Sequence, residues 1–290
     1  LNLGMNQNNI WIGGLPIGRD WDEKETIYNL SLLPNNKKVI IDIADIYSQG
    51  NAFKIIQNLQ NELPSNIYLS LKFGLKIDYK NNRFGVSKKK IEKLEIYTKI
   101  SSFLENFNSN KIFSIQLHCM PPDKESILNF QDSFLKIQNQ IPKLKLGISN
   151  VEIDEAKKLI NFFETPINSI QIQANLLEQR LIREYENKFF KNYDLLINRS
   201  LCRGLIRSPK KFLENKNSRF NNSIRVKESL SKQRLDFLYF LDNQSKKMHS
   251  SIELIAYAWL LSFGNNIFPI IGARNSKQLS HSIDLLQNIN

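Results

Sequence analysis

Short, nearly continuous apolar runs alternate along the chain with longer segments whose apolar residues recur every three or four positions. Runs of the first kind are typical of strands buried on both faces of a sheet, and the longer period is typical of amphipathic helices. The short runs predict eight strands, over residues 9–13, 38–44, 67–72, 112–118, 144–149, 169–174, 194–198 and 267–272.

The longer segments between these strands predict helices. They cover residues 86–107, 124–141, 152–163, 250–263 and 275–286. Alternation of strand and helix builds right-handed βαβ units with a parallel sheet. Eight such units in 290 residues predict an α/β fold, a single (β/α)8 TIM barrel. We predict one domain over residues 1–290, with residues 1–8 as a disordered or misassigned N-terminal extension.

One segment, residues 203–247, interrupts the alternation after the seventh predicted strand. It holds twelve Lys or Arg and four Asp or Glu, and so carries most of the net charge of +12. Barrel phosphate sites are usually built by the loops at this point of the fold. The segment therefore predicts a long basic excursion that meets an anionic ligand, and the alternative is a solvated basic loop.

Composition excludes several classes of protein. Cys119 and Cys202 are the only cysteines, so a disulfide framework is excluded and a reducing, cytoplasmic setting is the default. Three histidines and two cysteines show no metal-ligand spacing, so we expect no metal site. No apolar run reaches eighteen residues, so no segment is expected to span a membrane.

Four side chains with useful chemistry lie at or just beyond the ends of successive predicted strands, where barrel active sites are found. They are Asp42, Tyr47, Lys72 and His118. An ammonium beside a tyrosine lowers the pKa of its hydroxyl, and a carboxylate supplies the counter-charge that a buried ammonium needs. A neutral histidine can orient a substrate oxygen. Together the four suit proton transfer to a carbonyl oxygen.

Three motifs that contain these side chains resemble the aldo-keto reductase family. They are IDIADIY at 41–47, LSLKFG at 69–74 and QLHCMPP at 116–122. The resemblance implies Tyr47 as general acid, Lys72 and Asp42 as the pair that tunes it, and His118 as the residue that orients substrate. An aromatic at the place of Trp21 often lines the family's substrate pocket, so Trp21 is a candidate substrate contact.

Further motifs continue the resemblance to the C-terminus. They are IWIGGLPIG at 10–18, LKLGISN at 144–150, SIQIQAN at 169–175, SLCRG at 200–204, IELIAYAWLLS at 252–262 and FPIIGARNSKQL at 268–279. The resemblance implies NADP(H) as cofactor. Its implied contacts are Ser149, Asn150 and Gln171 for the nicotinamide carboxamide, Leu201 and Gly204 for the pyrophosphate, and Gly272, Ala273, Arg274 and Gln278 for the adenosine end.

The chain departs from the family pattern at several of these positions. Asn198 stands where the family has an aromatic that stacks on the nicotinamide, and Gln278 stands where a basic residue faces the 2′-phosphate. His281 and Ser282 replace the pair that contacts adenine. Arg274 lies close enough in sequence to take over the 2′-phosphate.

These observations predict a cytoplasmic NADPH-dependent oxidoreductase that reduces an aldehyde or ketone. The alternative is a non-catalytic NADP(H)-binding sensor or scaffold of the same fold. A third class, an RNA-binding protein, rests on net charge alone, and no aromatic-basic RNA motif supports it. We therefore expect a small-molecule carbonyl partner and neither nucleic acid nor membrane.

Overall fold

Eight parallel strands close into a barrel. The computed structural model describes residues 9–80, 83–88, 90–180, 184, 188–207 and 231–289. The barrel strands are β1 (Asn9–Gly13), β2 (Lys38–Ala44), β3 (Ile67–Phe73), β6 (Ile112–Leu117), β7 (Lys145–Ser149), β8 (Ser169–Gln173), β9 (Asp194–Asn198) and β10 (Ile267–Ile271). Around the barrel they lie in the order β1-β10-β9-β8-β7-β6-β3-β2. The predicted TIM barrel is confirmed, and each predicted strand is matched within one residue at either end.

Helices cover the outside of the barrel. They are α1 (Glu23–Ser31), α2 (Asn51–Asn58), α3 (Lys93–Glu105), α4 (Lys124–Gln138), α5 (Ile153–Phe162), α6 (Lys232–Lys247), α7 (Ile252–Leu261) and α8 (Ser276–Gln287). Several begin at side chains that cap free backbone N–H groups: Asp22 caps α1, Asp123 caps α4 and Asn275 caps α8. Short 3-10 turns lie at Tyr47–Gly50, Ser109–Lys111, Phe189–Asn192 and Cys202–Gly204.

The predicted helix over residues 86–107 is wrong in its first part. A hairpin of two antiparallel strands, β4 (Leu75–Lys80) and β5 (Arg83–Lys88), precedes α3, which begins only at Lys93. The backbone of β5 finds its hydrogen-bond partners across the hairpin, so it does not need a helix to satisfy them. The helical spacing of apolar residues that predicted this helix begins at Ile91, close to the start of α3. Residues 86–90, where the prediction placed the first turn of the helix, have little of this spacing.

The barrel interior changes character along its axis. An apolar cluster lies at one level, formed by Trp11, Ile40, Leu196, Phe268 and Ile270. At the carboxyl ends of the strands the inward positions become polar, since Asp42 pairs in register with Ser70 and Ser70 with Ser114. A much larger apolar core lies between the strands and the surrounding helices. The polar side chains therefore lie at the rim formed by the carboxyl ends of the strands, and the level of the barrel interior below them is apolar.

The predicted basic excursion is described only at its two ends. Residues 203–207 continue from the loop after β9, and residues 232–247 form α6. Residues 208–230 lie outside the described part of the chain, as do residues 1–8. Within the described ranges, no helix is both long and apolar enough to cross a membrane. The same ranges contain no cluster of three or more His, Cys, Asp or Glu able to hold a metal ion.

Candidate active site

A hydrogen-bonded chain of three side chains lies at the polar rim. The Lys72 Nζ donates to Asp42 Oδ2 at 2.5 Å and to the Tyr47 hydroxyl at 2.8 Å. Lys72 and Asp42 are almost completely buried, with side-chain exposures of 1% and 5%. Strand register explains how they meet, because Ala44 pairs with Lys72 and brings the end of β3 beside the end of β2. The structure thus joins three residues that are separated in sequence by up to 30 positions.

The carboxylate of Asp42 has a second partner that the sequence analysis missed. The Gln116 amide donates to Asp42 Oδ1 at 3.1 Å and to Ser70 Oγ at 2.5 Å. Its neighbour across the sheet is Gly147, where an added Cβ would lie 2.9 Å from Gln116 Cγ. That glycine leaves the space in which Gln116 lies. Gln116 lies on β6, two residues before His118, which directly follows the strand. Alternation of side chains along an extended backbone is the signal that could have found Gln116.

The turn after Tyr47 has a strained backbone. Ser48 and Gln49 have φ values of 50° and 60°, in the left-handed region that non-glycine residues seldom adopt. Each such residue costs on the order of 1–2 kcal/mol. The Ser48 hydroxyl donates to the carbonyl of Ile17 at 2.7 Å and ties this turn to the loop after β1. The fold therefore holds the segment that follows Tyr47 in one particular conformation.

Burial and neighbouring charges act in opposite directions on the pKa values of Tyr47 and Lys72. Burial raises the pKa of Tyr47 above its usual value, although the Lys72 ammonium pulls in the opposite direction. For Lys72, burial acts to lower the pKa, but Asp42 and then Tyr47 outweigh it, so the pKa is raised. The sequence predicted a lowered pKa for Tyr47, but the net direction is the reverse because the effect of burial is larger than the attraction of the Lys72 ammonium. At neutral pH the pair is a protonated phenol beside an ammonium.

His118 lies on the other side of Tyr47. Their rings are 6.0 Å apart in an edge-to-face arrangement, and His118 is 3% exposed. Burial, and then the Lys72 charge, hold the pKa of His118 well below its usual value, so the imidazole is neutral. Its Nδ1 is buried and has no hydrogen-bond partner among the residues that the structure describes. A neutral imidazole at this place is available to hydrogen-bond a ligand oxygen.

A cluster of amides lies beside His118, and it contains the three predicted carboxamide contacts. The Asn150 amide donates to the His118 carbonyl at 3.2 Å, and the Ser149 hydroxyl donates to Gln171 Oε1 at 2.8 Å. The Asn198 amide donates to Asn150 Oδ1 at 3.2 Å. Within the described part of the chain, two buried atoms in this cluster lack hydrogen-bond partners: the donor Gln171 Nε2 and the acceptor Asn198 Oδ1. One free donor beside one free acceptor matches the hydrogen-bonding needs of a primary carboxamide.

The other predicted cofactor residues lie in the loops after β9 and β10. Leu201 is buried, and Gly204, with φ of +96°, has no atom of another described residue within 4 Å of where a Cβ would stand. Gly272 is equally open, and Ala273 beside it is buried. Open space beside two glycines allows a ligand to approach the backbone closely.

The loop after β10 leads into α8. The Arg274 N–H donates to Gln278 Oε1 at 3.0 Å, and the Gln278 N–H donates to the Asn275 cap at 3.0 Å. Arg274 itself is exposed. Gln278 thus shapes the start of α8, and Arg274 is the charged residue beside it.

Trp21, the predicted substrate contact, lies in the loop after β1. It is 1% exposed, and its indole N–H donates to the Arg274 carbonyl at 2.9 Å. Its position joins the loop after β1 to the loop after β10 and fixes the backbone of Arg274.

The two residues at the predicted adenine position differ in accessibility. His281 is half-exposed, and its Nε2 lies 3.5 Å from Glu253 Oε1. Ser282 is buried, and Arg207 donates to its hydroxyl at 3.2 Å while also pairing with Glu253 at 2.8 Å. Ser282 therefore belongs to a polar network between α7 and α8 rather than to an open surface.

Asp45, two residues before Tyr47, is a titratable group that the sequence analysis did not single out. Its side chain is 12% exposed, and Lys99 Nζ lies 3.7 Å from its Oδ2. Burial raises its pKa from 3.8 to about 6, against the opposing effect of Lys99. The folded protein therefore binds a proton here that the unfolded chain releases. The protonated Asp45 carboxyl therefore stabilises the folded state fully below about pH 4, and this stabilisation is lost as the pH rises through about 6.

Asp45→Asn keeps the shape and removes the charge, so we expect the free energy of unfolding at pH 8 to rise by about 2–3 kcal/mol. Near pH 4 the wild type and the variant should be equally stable. Urea unfolding across this range measures the difference, with the exposed Asp132→Asn as the matched control. If the unfolding free energies of wild type and Asp45→Asn differed by the same amount at every pH, the Asp45 carboxyl would not be the source of this pH dependence.

The sequence model of the aldo/keto reductase family matches residues 15–289. The match covers nearly the whole chain, so the chain belongs to the aldo/keto reductase family and is an oxidoreductase.

Solved structures share the fold. The glycerol dehydrogenase AKR11B4 from Gluconobacter oxydans has a TM-score of 0.75 at 21% identity, covering 96% of this chain and 86% of that chain. The aldo-keto reductase AKR11C1 from Bacillus halodurans, in its holo form, has a TM-score of 0.72 at 18% identity with the same coverages. Comparison with curated proteins gives no match.

Proposed function

We propose that this protein reduces an aldehyde or ketone with NADPH, and that Tyr47 is the general acid. The observation that carries the proposal is the buried chain from Asp42 through Lys72 to the Tyr47 hydroxyl, with Lys72 Nζ 2.8 Å from the phenol oxygen. A phenol kept protonated by burial and adjoining an ammonium is a proton donor that gains stabilisation as it becomes negative.

Each residue of the rim has a distinct part in this proposal. The Tyr47 hydroxyl donates a hydrogen bond and then its proton to the substrate oxygen. Lys72 stabilises the tyrosinate that remains, and Asp42 keeps Lys72 charged and in place. His118, neutral and with a ring nitrogen free of hydrogen bonds, orients the same oxygen.

The residues present fit a nicotinamide cofactor, which when bound would supply the hydride. The unpartnered Gln171 Nε2 and Asn198 Oδ1 are complementary to its carboxamide, with Ser149 and Asn150 beside them. The open loops at Gly204 and Gly272 would hold the pyrophosphate and adenosine parts. We further propose a reducing compartment such as the cytoplasm, because the chain has only two cysteines, Cys119 and Cys202, and therefore no disulfide framework.

A non-catalytic NADP(H)-binding protein is the second candidate. Asn198 at the end of β9 and the burial of Ser282 favour it, because both alter the surface offered to the cofactor. The complete Asp42–Lys72–Tyr47 chain favours the enzyme, since a protein that only binds has no need to bury an ion pair beneath a phenol.

Two measurements separate these candidates. Fluorescence titration with NADPH and NADH reports binding, and a panel of aldehydes and ketones then reports oxidation of the bound cofactor by its absorbance. Binding with turnover supports the enzyme. Binding without turnover on any carbonyl favours the sensor, and absence of binding contradicts both.

We expect NADPH to bind more tightly than NADH, with Arg274 responsible for the difference. Arg274 lies exposed at the start of α8, so a 2′-phosphate there would meet a guanidinium and a helix N-terminus. One charge-assisted contact is worth about 1.5–3 kcal/mol. Arg274→Ala should therefore weaken NADPH by ~10–150-fold and leave NADH nearly unchanged.

The salt dependence of cofactor affinity provides a second test of the proposed contact between Arg274 and the 2′-phosphate. NADPH affinity should fall more steeply with ionic strength than NADH affinity in the wild type, because screening weakens exposed charge pairs. In Arg274→Ala the salt dependences of NADPH affinity and NADH affinity should become equal. In Lys277→Ala, a variant in the first turn of α8, the difference between the two salt dependences should remain. Equal losses for both cofactors on Arg274→Ala would contradict recognition of the 2′-phosphate by this residue.

A further inference from the structure

The two oxygens of the Asp42 carboxylate are held by different partners. Lys72 Nζ donates to Oδ2 at 2.5 Å, and the amide of Gln116 donates to Oδ1 at 3.1 Å. The amide must present its NH2 group to Asp42, because an ionised carboxylate accepts hydrogen bonds and cannot donate them. Gln116 is 0% exposed and Lys72 is 1% exposed. Two donors that solvent does not reach therefore fix the rotation of the carboxylate.

The Gln116 amide is itself held in place by buried serines. Its nitrogen also donates to Ser70 Oγ at 2.5 Å, and Ser70 Oγ lies 2.6 Å from Ser114 Oγ. Both serines are almost completely buried. The pairing of β3 with β6 shifts register between Leu69 and Ser70, and Ser70 then pairs with Ser114. These contacts hold the amide with its nitrogen between Asp42 and Ser70.

Lys72 connects the position of Asp42 to Tyr47. An ammonium has three hydrogens to donate, and Lys72 Nζ directs two of them to Asp42 Oδ2 and to the Tyr47 hydroxyl, the latter at 2.8 Å. If Asp42 turned about its Cβ–Cγ bond, Lys72 would follow it, because a buried ammonium separated from its carboxylate is strongly unfavourable. The distance from Lys72 to the phenol oxygen therefore depends on the second donor that keeps Asp42 from turning, which is Gln116.

We propose that Gln116 is a positioning residue for proton transfer. It holds Asp42 so that Lys72 lies within hydrogen-bond distance of the Tyr47 hydroxyl, and, being completely buried, it does not contact the carbonyl substrate. This role rests on the proposed function of Tyr47 as general acid. A small misplacement of a catalytic group can cost about 100-fold in rate, so loss of the amide should lower turnover and leave substrate affinity in place.

Gln116→Met removes the amide and keeps an unbranched side chain of similar length. We expect turnover to fall by ~10–100-fold, while KM and NADPH affinity stay within about twofold of the wild type. Gln131→Met is the matched control. Gln131 is 3% exposed on α4, and its Oε1 accepts a hydrogen bond from the Glu164 N–H at 2.7 Å. Both variants lose a buried hydrogen bond, so both should unfold at lower urea concentration, but Gln131→Met should keep normal turnover.

Gln116→Glu tests whether the donated hydrogen bond is what matters. A protonated carboxyl can donate to Asp42 as the amide does, whereas an ionised carboxyl cannot. Burial and the Asp42 charge act to raise the pKa of the new carboxyl above its usual value of about 4.3, and Lys72 opposes them. Turnover relative to the wild type should therefore be close to normal at low pH and fall by ~10–100-fold through one ionisation as the pH rises. Division by the wild-type value at each pH removes the ionisation of Asp45, which both proteins share.

A measurement that needs no turnover separates this proposal from the proposed function. Tyrosine labelled with ¹³C at Cζ reports the hydrogen bonding of each phenol, and the Tyr47 signal is the one absent from Tyr47→Phe. At neutral pH and without cofactor, Gln116→Met should move the Tyr47 signal by more than its line width, and Gln131→Met should leave it in place. If no carbonyl is reduced, this signal still decides whether Gln116 positions Lys72 against Tyr47.

An unmoved Tyr47 signal in folded Gln116→Met would overturn the proposal, whether or not the protein reduces a carbonyl. In an active enzyme, wild-type turnover in Gln116→Met, equal losses in Gln116→Met and Gln131→Met, or relative turnover of Gln116→Glu that does not change with pH would also overturn it. Circular dichroism shows which variants are folded. Should Gln116→Met fail to fold, Gln116→Glu gives the same test within one protein, and its Tyr47 signal should move with pH relative to the wild type.

Discussion

Replacing Tyr47 with phenylalanine is expected to lower the turnover number by ~10²–10⁴-fold, the usual contribution of a general acid. The change removes one hydroxyl, whose partner in the structure is Lys72 Nζ at 2.8 Å. Lys72 keeps its ion pair with Asp42, so the fold and the cofactor site should remain intact. NADPH affinity should therefore stay within about twofold of the wild type while turnover collapses. Steady-state kinetics and fluorescence titration on the same preparation measure both.

Tyr68→Phe is the matched control. Tyr68 lies near the amino end of β3, five residues from its carboxyl end, and so at the opposite end of the barrel from the rim. Its hydroxyl has no part in the proposed proton transfer, and turnover should be unchanged. Wild-type turnover in Tyr47→Phe, or an equal loss in both variants, would remove the assignment of Tyr47 as the acid.

Replacing Lys72 with methionine is expected to have the second-largest effect, because it acts on both catalysis and stability. Without the ammonium, nothing opposes the burial that raises the pKa of Tyr47, so the tyrosinate formed on proton transfer loses its stabilisation. A loss of about 10²–10³ in turnover is typical for one such electrostatic contact. The apparent pKa of the catalytic acid in the pH–rate profile should also rise. Removing one partner of a buried ion pair costs about 3–5 kcal/mol of unfolding free energy.

Lys93 supplies the control for this experiment. Its Nζ lies 2.5 Å from Asp132, the same separation as Lys72 from Asp42, but both side chains are nearly half-exposed. Lys93→Met should cost less than about 1 kcal/mol, because solvent screens exposed pairs. Asp42→Asn strands the buried ammonium and should likewise destabilise the fold. Normal rates and unshifted pH profiles in both Lys72→Met and Asp42→Asn would reduce the pair to a structural role.

Most of the barrel was predictable because its strands are buried on both faces, and such strands appear as continuous apolar runs. The hairpin of β4 and β5 was not predictable, because neither strand has a continuous apolar run. The helical spacing of apolar residues that begins at Ile91 led instead to a predicted helix that starts too early in the chain. Pairing between two segments, which decides the hairpin, is a tertiary property that periodicity does not contain.

The candidate site was predictable in its residues more than in its energetics. Asp42, Tyr47, Lys72 and His118 could be found from their places at strand ends. The direction of the tyrosine pKa could not, because it depends on how far burial exceeds the attraction of Lys72. The hydrogen bond from the Trp21 indole to the Arg274 carbonyl was likewise not predictable, because it joins loops that lie 253 positions apart in the chain.

The most direct test of carbonyl reduction follows deuterium from the cofactor. NADPH deuterated at the carbon that gives up hydride is incubated with wild-type protein and an aldehyde that shows turnover, and the alcohol is analysed by mass spectrometry. The account predicts one deuterium on the former carbonyl carbon with wild type, and a yield lower by ~10²-fold or more with Tyr47→Phe at saturating NADPH. An alcohol without deuterium, or equal yields from both proteins, would contradict it.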